Sequence, residues 1–412
     1  MEQPSRPSPS PAQGNELPLT LLLALATLTV CTLCWWYPPV MGVAGISPGG
    51  VWFRDTQAVL VAIDMHRLGL DSYSGHYYSH WWYWLGAAGL TPRDRAWVGP
   101  VVSGLGLVAG WWMARPRSRA ELGWALAVLC SAPVLLGLNR SNVDLLLFAL
   151  LGGCAPALRS SVRFWRVTGA VALLALGTGL KYYPAFGALI LLAIRPARER
   201  TLALAVAAIL FAMTILSIAP DLVRFAGVVE HAGFYVFGAP TFFAKIGLPA
   251  SLSLVTASVL LLGAGLWLFR GTALRTWTVP AGLRFDYLNF ILGAAILTGC
   301  FLLTENYAYR WIYAVMLLPL LGRLDTLPVE PAVRRLKNLT RWLLIGQLWA
   351  EPFIVADLNL NPRTQEGLLL WERAGTLVLS GITWALFACL AGWLVHFVAT
   401  QARVTPDAPA QA

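Results

Sequence analysis

Runs of about 18–20 apolar residues, each closed by a short polar or basic break, recur along the whole chain, and a helix needs about that length to cross a bilayer. The first covers Leu17 to Tyr37 and closes on the aromatic pair Trp35–Trp36, as expected at a membrane interface. From Thr56 to Leu68 the apolar positions Val59, Leu60, Ala62, Ile63 and Met65 predict a helix lying along the membrane surface. The stretch YYSHWWYWLGAAGL (77–90) belongs at the interface or in a partly buried helix. Further spans are expected at Trp97–Ala114, Leu122–Leu138, from the polar break NRSNVD (139–144) to about Leu158, and at Val167–Leu180. KYYP (181–184) then interrupts the pattern and predicts a broken or short helix pair that ends near Ile194. Thr201–Ala219, Ser251–Phe269, Tyr287–Leu303, a segment from Arg310 to Gly322, Trp342–Ala356 and Thr376–Val398 complete the series. About twelve crossings result, in one transmembrane domain over 17–398. The flanking tails, 1–16 and 399–412, are polar and Pro-rich, and are expected to be cytoplasmic.

Composition strengthens this reading. Of 412 residues 58% are hydrophobic and only 12% charged, and the mean hydropathy is +0.64. A soluble domain of this size has no interior able to hide so much apolar sequence. The net charge of +10 is spread in small clusters between spans, not gathered on one face, which argues against a nucleic-acid partner. Most of the 30 Lys and Arg fall in alternate loops, on the side of the two termini. By the positive-inside rule that side is cytoplasmic, so the loop 38–96 faces out. The six cysteines all lie within apolar runs and read as packing residues, with no disulfide or zinc framework.

Chemistry is therefore sought on the outer face, where the acids Asp55, Asp64, Asp71, Asp144, Asp221, Glu230, Glu305 and Asp357 gather with four of the five histidines. Asp55, next to Arg54 and after the flexible SPGG, is placed to act as a general base toward a sugar hydroxyl. Its alternatives are a solvated loop acid or a helix N-terminal charge. Lys181, between apolar runs and beside Tyr182, calls for a partner or an anion, and a lipid phosphate would serve; snorkelling to the headgroups is the other reading. Asn142 and Asp144 either cap the helix that follows or line a cavity. In TENYAYR (304–310), Glu305, Tyr307, Tyr309 and Arg310 again bring polar groups to an outer helix start. Arg310 is suited to hold a phosphate through its planar fork, or to pair with Glu305. His231, beside Glu230, is a further acid–base candidate or an ordinary loop histidine. No Walker loop, GxGxxG, HExxH or GxSxG motif stands in its required context, which disfavours a nucleotide-driven pump. Nucleotide sugars are absent from an outer face, so a glycosyl donor there would be lipid-borne.

Three stretches, NVDLLLFALLGGC (142–154), LALGTGLKYYPAFGALILLAI (174–194) and ENYAYRWIYAVMLLPLL (305–321), together resemble the polytopic mannosyltransferases of glycosyltransferase family 87. VWFRDTQAVLVAIDMHRLGLDSYSG (51–75) is similar to that family's first outer loop, with Asp71-Ser72-Tyr73 where the family has Asp-Pro-Tyr. The resemblance implies an all-α GT-C-type fold and a polyprenyl-phosphate-mannose donor. It implies an inverting transfer to a lipid or glycan acceptor at the outside of a bacterial cell membrane. By position it makes Asp55 the catalytic base, and it matches Lys181 and Arg310 to basic motif residues, for which donor-phosphate contact is our inference. No metal ligands or other cofactor are assigned, and a divalent ion is left open. Two rival classes are a transporter or lipid flippase, which would also use broken helices and intramembrane charge, and a non-catalytic scaffold, which gives no reason for Lys181.

Overall fold

The computed structural model describes residues 16–37, 52–70, 79–226, 236–245, 250–303, 306–360 and 370–403. Almost every described residue in regular structure is helical, the exception being a two-residue antiparallel ladder that pairs Val236 with Tyr307 and Phe237 with Asn306. The helices are α1 (Glu16–Trp36), α2 (Arg54–Arg67), α3 (Trp84–Ala87), α4 (Arg95–Ala114), α5 (Arg119–Leu129), α6 (Ala132–Arg140), α7 (Val143–Gly152), α8 (Cys154–Arg159), α9 (Ala170–Leu180), α10 (Ala197–Ala226), α11 (Ala239–Lys245), α12 (Ala250–Gly271), α13 (Arg284–Leu303), α14 (Leu318–Arg323), α15 (Pro331–Leu360) and α16 (Leu370–Arg403). Tighter 3-10 windings run over Tyr183–Ala193 and Ala308–Leu317.

This is an all-α, multi-pass membrane protein. Among the described residues six helical stretches are long and apolar enough to cross a bilayer: Glu16–Trp36, Pro92–Ala114, Ala197–Arg224, Leu252–Gly271, Ala281–Leu303 and Leu377–Gln401. A seventh arises if α5 and α6, bent by 56° at their junction, count as one. Of the remaining expected spans, Trp342–Ala356 lies inside the continuous 30-residue α15, and the others are built from shorter pieces. Proline explains part of the difference, because it lacks an N–H and is favoured in a first helical turn, although α4 and α10 carry Pro100 and Pro220 in their interiors. Pro133 sits at the start of α6, Pro184 at the start of the 183–193 winding and Pro319 at the start of α14.

The pieces fall into an inner and an outer set. α13 is buried along nearly its whole length, packed against the windings 183–193 and 308–317 and against α16. α4 packs on α7, and α6 on the 308–317 winding. By contrast α1, α10 and α12 expose Leu21, Leu25, Met213, Leu216, Val259 and Trp267. In water such a surface would aggregate; against hydrocarbon it is the solvent-facing side. The six cysteines form no disulfide among the described residues.

Charge is sorted to the helix ends. At one end Arg323 bonds Glu121 and lies 3.4 Å from Asp286, which Arg115 approaches to 3.5 Å. Glu16 meets Arg117, and Glu199 takes Arg163 and Arg166 at 3.2 and 2.9 Å. These groups come from the first turns of α1, α5, α10 and α13 and from the ends of α4 and α14. Antiparallel traverses bring those termini to one side. The opposite ends carry the candidate site.

Candidate functional site at the Asp55 end

The site begins with a strained turn. Phe53 has φ 59 and ψ 34, the left-handed region that costs a non-glycine residue roughly 1–2 kcal/mol. Its N–H donates to the Asn139 carbonyl at 2.9 Å, and its ring lies so close to Gly99 that a Cβ there would collide with it. Ser141, the other nearby residue with positive φ (48), donates to the Gly99 carbonyl at 2.6 Å and accepts from Thr56 Oγ1 at 2.8 Å through its own carbonyl. These contacts fix the first turn of α2 against the α6–α7 corner. The helix predicted over Thr56–Leu68 is thus real, and it buries Asp55, Thr56, Val59, Leu60, Ala62 and Ile63. The last four form its apolar stripe; Val59, Leu60 and Ile63 share a small core with Trp82 and Val143.

Asp55 is 5% exposed. Arg140 donates to Oδ1 from Nε at 2.9 Å and approaches it with Nη2 at 2.7 Å. The Asn142 amide donates to Oδ2. A carboxylate has about four lone-pair positions, so Oδ2 keeps room for one further donor, such as a substrate hydroxyl. Asn142 also caps α7, accepting the Asp144 N–H on Oδ1 at 2.9 Å. Of the two sequence alternatives the capping role is what Asn142 shows, and its amide also bonds Asp55.

Asp144 is 1% exposed and receives Lys181 Nζ at 2.5 Å and, more loosely, Arg310 Nε at 3.5 Å. The cations sit over a tyrosine floor. Lys181 Nζ lies 5.7 Å from the ring centres of both Tyr183 and Tyr309, and the Arg310 guanidinium 4.8 Å from that of Tyr183. Tyr183 and Tyr313 share a hydroxyl contact at 3.1 Å. Arg310 is buried, and its Nε and Nη1 make no hydrogen bond, nor does Asp144 Oδ2. Among the described residues, Arg140, Lys181 and Arg310 meet the carboxylates of Asp55 and Asp144. The unused guanidinium donors of Arg310 are what a phosphate would meet.

Lys181 is placed by the aromatic segment before α4. Ser79 Oγ donates to the Gly179 carbonyl at 2.5 Å and Trp82 Nε1 to that of Leu180 at 3.0 Å, satisfying carbonyls that the end of α9 leaves open. The described part of the 77–84 cluster thus caps a helix as well as facing the interface, where Trp84 is exposed. His80 takes Asp221 on its backbone N–H (3.0 Å) and Nδ1 (2.9 Å), with Ser217 at 3.3 Å from Nε2. The order Ser217–His80–Asp221 is that of a nucleophilic triad. Ser217, however, lies inside α10, where backbone N–H groups are consumed by helix bonds and none is free to hold an oxyanion. The contact ties α10 to the site instead.

Of the residues singled out on the sequence, Asp55, Asn142, Asp144, Lys181 and Arg310 converge, with Tyr182 beside them in the segment between Lys181 and Tyr183. Arg54 points out and is exposed. Tyr307 is described only as backbone in the ladder. His231 and Glu305, and with Glu305 its alternative pairing to Arg310, lie outside the described residues, as do 38–51 and 71–78 of the outer loop. Sequence reasoning passed over Arg140, although it stands two residues before Asn142 in NRSNVD, and over Tyr313; Tyr183 and Tyr309 were noted only as neighbours of Lys181 and Arg310.

Beside the strained turn, α1, α4 and α6 enclose an apolar groove of about 480 Å³. Trp35, Trp36, Trp52 and Phe53 form its mouth, and it reaches Asn139, next to Arg140. Against known proteins, no family model matches the chain and no curated protein matches it.

Proposed function

We propose that the protein is an integral-membrane glycosyltransferase that moves a hexose, mannose first among them, from a polyprenyl-phosphate carrier to a lipid or glycan acceptor on the extracytoplasmic face. The observation that carries this reading is the meeting, at one end of the helix assembly, of a buried carboxylate with a spare lone pair and a buried guanidinium with two unused donors. The resemblance of 51–75, 142–154, 174–194 and 305–321 to family 87 supports it, as all four segments contribute to that one cluster. In this reading the segments cross the membrane about twelve times, in a GT-C-type arrangement.

Asp55 takes the proton of the acceptor hydroxyl as its oxygen attacks the sugar C1 from the side opposite the phosphate. The C1–O bond to the phosphate breaks, the anomeric centre inverts, and the polyprenyl phosphate leaves with the bonding pair. Arg310 and Lys181 stabilise the charge growing on that phosphate, in a site already arranged for it. The apolar groove beside Phe53 suits a lipid chain.

The test is transfer of radiolabelled mannose from polyprenyl-phosphate-mannose to membrane lipids, comparing wild type with Asp55→Asn at matched expression. Loss of a general base typically costs about 10²–10⁴-fold, and a fall of that size is expected. Full transfer by the variant would remove Asp55 as the base. Absence of transfer by both proteins would turn attention to other lipid-linked sugars and then to a transporter.

A further inference from the structure

The contacts that set Lys181 in place reach beyond the site itself. Lys181 closes α9, and its Nζ stands 2.5 Å from Asp144 and 5.7 Å from the ring centres of Tyr183 and Tyr309. Its side chain is 11% exposed, so a shift at the end of α9 finds little slack in which to be absorbed. That end is held by Ser79 and Trp82, which donate to the Gly179 and Leu180 carbonyls. The Trp81 ring covers Gly179 so closely that a Cβ there would collide with it.

His80 stands between these anchors, and its bonds run the other way, to α10. Asp221 Oδ2 meets both the His80 backbone N–H at 3.0 Å and Nδ1 at 2.9 Å. A carboxylate only accepts, so Nδ1 carries a proton. Nε2 lies 3.3 Å from Ser217 Oγ, which in turn accepts from Trp81 Nε1 at 3.1 Å. With a neutral ring one direction satisfies every member: Trp81 donates to Ser217, Ser217 to His80, and His80 to Asp221. Ser217 and Asp221 are four residues apart and share a face of α10. Asp221 is buried, whereas the His80 side chain is 39% exposed. The helix therefore orients the imidazole, and not the reverse. Pro220 removes a helix hydrogen bond at this level of α10, which leaves more of the fixing there to side chains.

We propose that His80 and Asp221 are positioning residues for the transfer reaction. Asp221 orients His80, the oriented His80 holds residues 79–82 on the end of α9, and that end aims the Lys181 ammonium at the donor phosphate. The proposal rests on the reading of Lys181 as a donor-phosphate contact. The effect passes through the chain itself, so it needs no contact of either residue with donor or acceptor.

The experiment titrates the full chain in neutral detergent with polyprenyl phosphate, taking affinity from the rise of the thermal unfolding midpoint. His80→Ala is expected to weaken binding by about tenfold, the scale of one lost charge-assisted hydrogen bond. In a Lys181→Gln background the same change is expected to add less than about twofold, because a residue that acts through Lys181 then has nothing to aim. His80→Asn places an amide N–H where Nδ1 stands and is expected to stay within about threefold of wild type. His80→Gln reaches the Nε2 position instead and is expected to behave as His80→Ala. Both amides keep a polar side chain, so their comparison stands if His80→Ala does not fold. Equal losses in the two backgrounds would overturn the proposal, as would His80→Gln binding as tightly as His80→Asn. If wild type binds polyprenyl phosphate no better than the unphosphorylated polyprenol, the donor-phosphate reading of Lys181 falls instead. The unliganded midpoints of wild type, the two single variants and the double variant then decide the positioning alone. A double variant that falls by less than the two singles together keeps Lys181 under the control of His80, and additive falls would overturn it.

Discussion

Asp144 is the residue on which the candidate site balances. It is the carboxylate shared by Lys181 and Arg310, and all three are buried or nearly so. Deleting one partner of a buried ion pair leaves an uncompensated charge and typically costs about 3–5 kcal/mol. Asp144→Asn is therefore expected to lower the thermal unfolding midpoint clearly. If the two cations also serve a phosphate, adding a polyprenyl phosphate should restore more of the lost stability in the variant than it adds to wild type. Thermal unfolding in detergent with and without that lipid measures both effects. An equal increment in the two proteins would show that Lys181 and Arg310 serve Asp144 alone. Arg140 plays a different part, since it holds Asp55 in one orientation while leaving one carboxylate position open.

At the scale of elements, α2 is positioned by its entrance turn more than by its own sequence. Phe53 in the left-handed region is held by Asn139 and by the space above Gly99. Gly99→Ala is expected to push the Phe53 ring aside, with an overpacking cost of about 1–3 kcal/mol, and to lower transfer by moving Asp55. Adding Phe53→Gly relieves both the clash and the left-handed strain, so the double variant should recover part of the stability of the single one. Unfolding midpoints and transfer rates of the pair test this; a double variant worse than Gly99→Ala would show that the turn does not hold α2. Much of this architecture could be read in advance. Periodicity located α1, α4, α12 and α13 to within a few residues, because long apolar runs have a single solution in lipid. Asp55, Asn142, Asp144, Lys181 and Arg310 were legible for the converse reason: an ionisable group among apolar neighbours must have a purpose. Arg140 and Tyr313 were not, because their importance comes from tertiary proximity to Asp55, Asp144 and Tyr183, which no local pattern records. The short windings at 183–193 and 308–317 were also hard to foresee, since an apolar run does not reveal how tightly it coils.

Across the whole molecule, the carboxylate–cation cluster around Asp55 and the ion pairs of Asp286 and Glu199 occupy opposite ends, and the sidedness expected from the basic loops would put them on opposite faces of the membrane. With the six native cysteines replaced, Arg54→Cys should react with an impermeant maleimide on intact cells. Arg198→Cys should react only after permeabilisation. Labelling of both from one side would refute the alternation of crossings between residues 54 and 198. Both positions are exposed, so accessibility of the side chain itself does not confound the result.

The groove between α1, α4 and α6 carries a last consequence. Its walls are helices of the membrane assembly, so the lipid donor proposed above would reach it from the hydrocarbon. Occupancy is then metered by mole fraction in the bilayer, not by molar concentration, and the encounter is a two-dimensional search. A saturation curve should superimpose when donor and carrier lipid are diluted together into more buffer, and should shift when inert lipid is added at constant bulk concentration. For a chain built this way, surface density is the natural unit of substrate.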